Sequence, residues 1–260
     1  MRDAALAALA AAMFWWLGTG VILWLDRRPA RSFRWSMGLW SGLGVLSLWG
    51  VWTSMQDVSV GMAYLGFASV IVMWGWHELA FLTGWLTGPR QRPLSAGARG
   101  WQRFSESAQA VLWHELALLA NLGLLWWLQS GQPNHVALCT FALLWCMRLS
   151  AKLNLFFGVA QNGAQYLPPH LAYLASYFRH RRITPWYVLS LSSATVLWLW
   201  LIWQAQQGAV AVTTGWVLLA TLLGLAIVEH LMMVLPWPLE KLWGWALGTP
   251  QAAAPLRTEP

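Results

Sequence analysis

Stretches of about 20 apolar residues recur along this chain between short polar connections, and that is the length a helix needs to cross a bilayer. In hydrocarbon each backbone N–H and C=O must be paired within its own segment, so such runs fold as helices. Seven spans can be drawn: Ala4–Leu25, Trp35–Met55, Val60–Leu86, Ala108–Gln129, Val136–Phe157, Trp186–Gln204 and Ala211–Leu235. Only 10% of the 260 residues are charged, against about 25% in soluble proteins. The predicted fold is therefore an all-α polytopic membrane protein of seven transmembrane helices, one domain over residues 1–250, with 251–260 as a disordered tail.

The net charge of +7 is carried by alternate loops. Arg27, Arg28, Arg31 and Arg34 follow the first span, and Arg90, Arg92, Arg99 and Arg103 follow the third. Arg179, Arg181 and Arg182 follow the fifth, and Lys241 and Arg257 the seventh. The loops around Asp57, Gln132-Pro133-Asn134 and Gln206-Gln207 contain no Lys or Arg. The positive-inside rule then predicts a periplasmic N-terminus and a cytoplasmic C-terminus. Cations scattered over short loops do not make the continuous basic face that nucleic acid requires, so membrane lipid is the expected surrounding and nucleic acid is not a partner.

The first apolar run ends in Asp26-Arg27-Arg28, unlike a cleaved signal peptide, whose positive charge precedes a shorter core. Cys139 and Cys146 are seven residues apart on one helix, roughly 10 Å, which is too far for a disulfide. In the longest loop, Leu171, Leu174 and Phe178 recur at helical spacing before a basic cluster. That pattern suits a cytoplasmic interfacial helix near 169–182, and equally an ordinary loop helix without function.

Against this apolar background three dipeptides stand out: His77-Glu78, His114-Glu115 and Glu229-His230. A carboxylate inside a membrane is costly unless neutralised, paired or bound. At 1.5 Å per residue, His77 and Glu78 lie roughly 12–14 Å from the inner end of their span. His114 and Glu115 lie roughly 9–11 Å, and Glu229 and His230 about 8–10 Å, from the same face. Arg148, Lys152 and Asn154 occupy the last turns of the fifth span. Four helices thus bring polar groups to one level.

Arg148 and Lys152, four apart, share a helix face, with Asn154 only loosely associated. Three carboxylates face two cations, so mutual ion pairs would leave one negative charge and three imidazoles over. Those leftovers suit a metal or metallo-tetrapyrrole, with His77, His114 and His230 as candidate ligands. Polar groups that merely bridge helices would produce the same pattern. Adjacent residues differ by about 100° around a helix, so one member of each dipeptide can face away.

Established catalytic spacings are missing. Neither Glu78 nor Glu115 is followed by the second histidine of a His-Glu-x-x-His zinc helix. Six histidines are few for a membrane di-iron oxidase, and no Gly-x-Ser-x-Gly elbow occurs. Among 23 tryptophans, Trp35, Trp126, Trp127, Trp186, Trp237 and Trp243 fall near span ends, as an aromatic belt. Trp74, Trp76, Trp113 and Trp145 are deeper and flank the polar cluster, where they either line a pocket or fill space. Gly38-x-x-x-Gly42 offers a close-packing motif in the second span.

Several stretches carry a family resemblance: Trp74–Arg90 (WGWHELAFLTGWLTGPR), His114–Leu118 (HELAL), Gly131–Asn134 (GQPN) and Met147–Val159 (MRLSAKLNLFFGV). Leu167–Phe178 (LPPHLAYLASYF), Glu229–Pro236 (EHLMMVLP) and Phe14–Trp35 extend it over nearly the whole chain. With these the chain resembles the photosynthetic complex assembly protein 2 family (PuhE-type) of purple phototrophic bacteria. The resemblance implies a bacterial inner-membrane protein that assists assembly of pigment–protein complexes, with reaction-centre or light-harvesting subunits and their assembly factors as partners. It supplies no catalytic residues.

Three readings follow. The first is an assembly factor that binds bacteriochlorophyll, a precursor or an assembling subunit at His77, Glu78, His114, Glu115, Arg148, Lys152, Asn154, Glu229 and His230. The second is an intramembrane metalloenzyme acting on pigment or lipid through His and Glu ligands to a transition metal. The third is a non-catalytic scaffold whose polar cluster only locks helices together.

Overall fold

The structure is a computed structural model and describes residues 2–236 and 242–247. Expectations attached to Trp237, Lys241, Arg257 and the 251–260 tail lie outside these residues. Among the described residues seven long helices follow one another: α1 (Arg2–Asp26), α2 (Phe33–Met55), α3 (Val60–Leu82), α4 (Gly100–Leu128), α5 (Val136–Phe157), α6 (Pro185–Ala205) and α7 (Val210–Met232). A one-turn α8 (Gly244–Leu247) comes after them, and short 3-10 segments lie at Ala30–Ser32, Ala164–Tyr166 and Pro169–Tyr177.

Six of the seven long helices are long and apolar enough to cross a membrane, which makes this a multi-pass membrane protein. The helix outside that set is α2, which matches the others in length at 23 residues but carries four Trp, four Ser and four Gly. Those residue types lower its mean hydropathy, whereas its surface exposes Trp35, Leu39, Val45 and Trp49.

Two helix ends depart from the predicted spans. α3 stops at Leu82, where Gly84 takes a left-handed conformation (φ +80°) and Leu86 N–H folds back onto Ala80 O at 2.9 Å. α4 begins at Gly100, eight residues before the apolar run, because hydropathy marks the embedded part of a helix and not its polar extension. The 169–182 region holds a 3-10 segment that begins at Pro169 and turns Leu171, Leu174 and Tyr177 inward onto Phe81 and Ala110.

Close helix packing does not use the Gly38-x-x-x-Gly42 motif, since a Cβ at either glycine would meet nothing within 4 Å. The α2–α3 contact is made through Gly50, where a Cβ would collide with Ser69 Oγ, and Gly66, where it would come 2.7 Å from Ser54 Oγ. Trp243 also departs from the aromatic belt: it is buried, donates to Trp16 O at 3.0 Å and sets its ring edge-on against Trp15.

The connections α1–α2, α3–α4 and α5–α6 leave from one end of the bundle, and the loop arginines gather there. This is the basic end. Helices α1, α3, α5 and α7 form the centre. Away from the basic end, Ala7, Ala11, Ala63, Phe67, Leu218 and Leu222 pack against one another and close it. The small alanines let the backbones of α1 and α3 approach, while toward the basic end the same helices enclose space.

Candidate functional site

Each dipeptide sends its two side chains to different neighbours, as a 100° rotation per residue requires. Glu78 on α3 accepts from Arg148 Nη2 on α5 at 2.8 Å, while His77 Nε2 accepts from Asn121 Nδ2 on α4 at 2.9 Å. Glu115 on α4 pairs with Lys152 on α5 and also accepts from Trp145 Nε1 at 3.4 Å. Its neighbour His114 lies fully buried, 4.7 Å from the Phe81 ring, with neither ring nitrogen hydrogen-bonded among the described residues. Glu229 on α7 accepts from Trp15 Nε1 on α1 at 2.9 Å. His230 turns the other way, its Nδ1 donating to Ala226 O at 2.9 Å and its Nε2 accepting from Ser150 Oγ at 2.9 Å.

The helix α5 therefore organises the cluster. Arg148 and Lys152, one turn apart, reach carboxylates on two different helices. The surplus negative charge is Glu229, which has no cation within ion-pair distance among the described residues. Asn154 is not brought to this cluster; two residues beyond Lys152, it points to α6 and donates to Ser190 Oγ at 3.1 Å.

The expected metal set of His77, His114 and His230 is not assembled. Among the described residues no three His, Cys, Asp or Glu side chains are placed to hold a metal ion. His77 offers its Nε2 lone pair to Asn121. His230 must donate from Nδ1 to a carbonyl, so its Nε2 lone pair is taken by Ser150. His77 and His114 both sit between α3 and α4, whereas His230 bridges α7 to α5.

Three adjoining chambers meet at Arg148, Ala151 and Gly163. The first, of about 350 Å³, lies among α1, α3, α5 and α7 and is lined by Trp15, Trp74, Glu78, Arg148 and Glu229 within apolar walls. The second, of about 260 Å³, lies beneath the 3-10 segment and is lined by Arg148 and Lys152 among Phe81, Val111, Leu174 and Phe178. The third, of about 560 Å³, is at the basic end, where Glu229 and His230 meet Gln161, Asn162 and Gln165. Of the nine candidate residues, Glu78, Arg148 and Glu229 line the first chamber, Lys152 the second and His230 the third.

The deep tryptophans divide similarly. Trp74 lines the first chamber and Trp145 binds Glu115. Trp76 donates to Ser41 Oγ at 3.0 Å, and Trp113 is half exposed on the outer surface.

Sequence reasoning missed two features. Trp15, which holds Glu229, lies in a Phe-Trp-Trp run that carries no signal separating it from belt aromatics. A second buried network occupies the basic end. Arg90 pairs with Glu106 at 2.6 Å and donates to Tyr177 Oη (2.9 Å), Ser95 Oγ (3.0 Å) and Pro93 O (3.1 Å). Arg103 donates to Phe156 O at 2.9 Å and to Tyr177 O at 2.7 Å. Both arginines read as loop charges in the sequence, and both are buried. The Glu106 carboxylate that would have flagged them lies in the polar first turns of α4, outside the apolar run.

The family described as "Protein of unknown function (DUF3623)" matches residues 1–254 of the chain. A protein of Rhodobacter capsulatus, described as "Uncharacterized 30.4 kDa protein in puhA 5'region", is 40% identical over 268 residues, covering 100% of this chain and 97% of its own length. No solved structure matches.

Proposed function

The chain belongs to the DUF3623 family, and we propose that it is a bacterial inner-membrane assembly factor for photosynthetic reaction-centre or light-harvesting complexes. The relative named for its place in the puhA 5' region supports a photosynthesis-related role, as does the PuhE-type resemblance. In this reading α2 is the seventh span, its exposed Trp35, Leu39, Val45 and Trp49 facing lipid. The basic end is cytoplasmic and the N-terminus periplasmic.

The observation that carries a binding role is the first chamber. It combines apolar walls with a few convergent polar groups, the usual character of a small-molecule site, and its volume of about 350 Å³ falls in the range of such sites. The ligand is a bacteriochlorophyll-type pigment or precursor, or alternatively a segment of an assembling subunit. The residues fit a pigment's polar substituents better than its metal: no histidine is among the chamber's lining residues and His77 and His230 have committed their ring lone pairs, whereas Arg148 is part-exposed in the chamber. Bound there, the pigment would supply light absorption. The protein's own part is to hold its carbonyl-type oxygens at the Arg148 guanidinium and exclude water with Trp15 and Trp74.

Purification from a pigment-producing host, with absorption and mass analysis of what accompanies the protein, tests this. A tetrapyrrole near one per chain, lost when Ala151→Phe fills the chamber, is the expected result. Absence of any tetrapyrrole, together with normal photosynthetic complexes in a strain lacking the gene, would remove the proposal.

A further inference from the structure

The charges around the first chamber do not balance. Glu78, Arg148 and Glu229 all line it, two carboxyl groups against one guanidinium. Glu229 is the source: Trp15 donates one hydrogen bond to it, and no cation lies within ion-pair distance among the described residues. Glu78 adds a second unused acceptor. It is only 8% exposed and lines the same chamber, yet its Oε1 has no hydrogen-bond partner among the described residues. The Arg148–Glu78 contact runs through Nη2 and Oε2 alone, leaving the stronger bidentate arrangement unmade.

On the other side of Arg148 the lining is reversed. The second chamber has Arg148 and Lys152 in its walls and no carboxylate among its lining residues. An anionic head would be drawn to that side, and an electron-poor head to the first. Entry is provided by the third chamber, which shares Arg148 and Glu229 with the first and opens at the basic end.

We infer that Glu229 binds the cationic, hydrogen-bond-donating head of an amphipathic small molecule, whose apolar body occupies the first chamber among Trp15, Trp74, Ile71 and Leu143. This rests on the reading that the chamber holds a ligand, and it narrows that ligand to one that carries a cationic group for Glu229 besides any oxygens held at Arg148. The bound ammonium restores neutrality and replaces the cation that the helices withhold from Glu229.

The test uses the full chain in lipid nanodiscs with two spin-labelled probes, doxyl-octadecylamine and doxyl-stearic acid, and reads the motionally restricted fraction by electron paramagnetic resonance. The amine is expected to be restricted by the wild type and to bind about tenfold more weakly to Glu229→Gln, the loss of one charge-assisted hydrogen bond. Stearic acid binding should be unchanged by that substitution. Ala151→Phe, which leaves every charge in place, should also abolish amine restriction. Equal amine binding by wild type and Glu229→Gln, or stearic acid held in the chamber as tightly as the amine, overturns the assignment to Glu229 while leaving a ligand-binding chamber. Restriction of neither probe overturns the assignment to Glu229, and the ligand-binding chamber falls with it only if no tetrapyrrole accompanies the purified protein.

Discussion

At the basic end, Arg90 has four partners: its guanidinium reaches Glu106, Tyr177, Ser95 and Pro93, and Ser95 N–H donates to the same Glu106 carboxylate. Inside the bundle, Arg148 makes one contact with Glu78, and its buried Nε has no partner among the described residues. Both regions are built from arginine, glutamate and aromatic rings. They differ in closure. The first ties the α3–α4 connection to α4 and the 3-10 segment through several partners of one guanidinium, as a structural clasp should. The second leaves Glu78 Oε1 and both nitrogens of the fully buried His114 without partners among the described residues, and it leaves the Glu229 carboxylate facing the chamber with no cation in ion-pair reach. Unfilled hydrogen-bonding capacity next to a cavity distinguishes a site that accepts something from one that only holds the chain together.

That contrast can be broken first at Arg90. Arg90→Met leaves Glu106 without its cation and Tyr177 without its donor, and the expected fall in Tm in detergent is on the order of 10 °C. An unchanged Tm would make the clasp no stronger than a surface pair. The intramembrane pair should respond less. Glu78→Gln and Arg148→Met are each expected to cost about 1–3 kcal/mol, with the double substitution costing clearly less than the sum of the two. Strict additivity would show that the two side chains are uncoupled in the membrane. The smallest effect belongs to Glu229→Gln, because the amide oxygen still accepts from Trp15: a stability change within about 0.5 kcal/mol is expected. A large loss of folded protein in this variant would move Glu229 from the binding side of the comparison to the structural side.

Much of the fold is legible in the chain because apolar run length is a one-dimensional quantity. The long helices, the basic end, and the gathering of polar residues from α3, α4, α5 and α7 at one depth all follow from counting residues along each run at a fixed rise. So does the surplus of one carboxylate over the two cations Arg148 and Lys152. Depth says nothing of direction around each helix axis. Which member of each dipeptide turns toward α5, which carboxylate is left without a cation, and whether three imidazoles converge are decided by helix rotation and by contacts between distant parts of the chain.

Trp15 meets Glu229 across 214 residues, and Arg90 meets Tyr177 across 87. The local sequence around these residues does not specify such meetings. Hydropathy averages also hid Glu106 in the polar start of α4 and kept α2 outside the set of apolar helices despite its exposed tryptophans. Composition and spacing determined that this protein is a membrane bundle with charges at one level. Only the packing of α1, α3, α5 and α7 decided that those charges border a chamber and that Glu229 faces it without a cation. The physical reason is that burial energy fixes how deep a side chain lies, while pairing energy fixes what it touches.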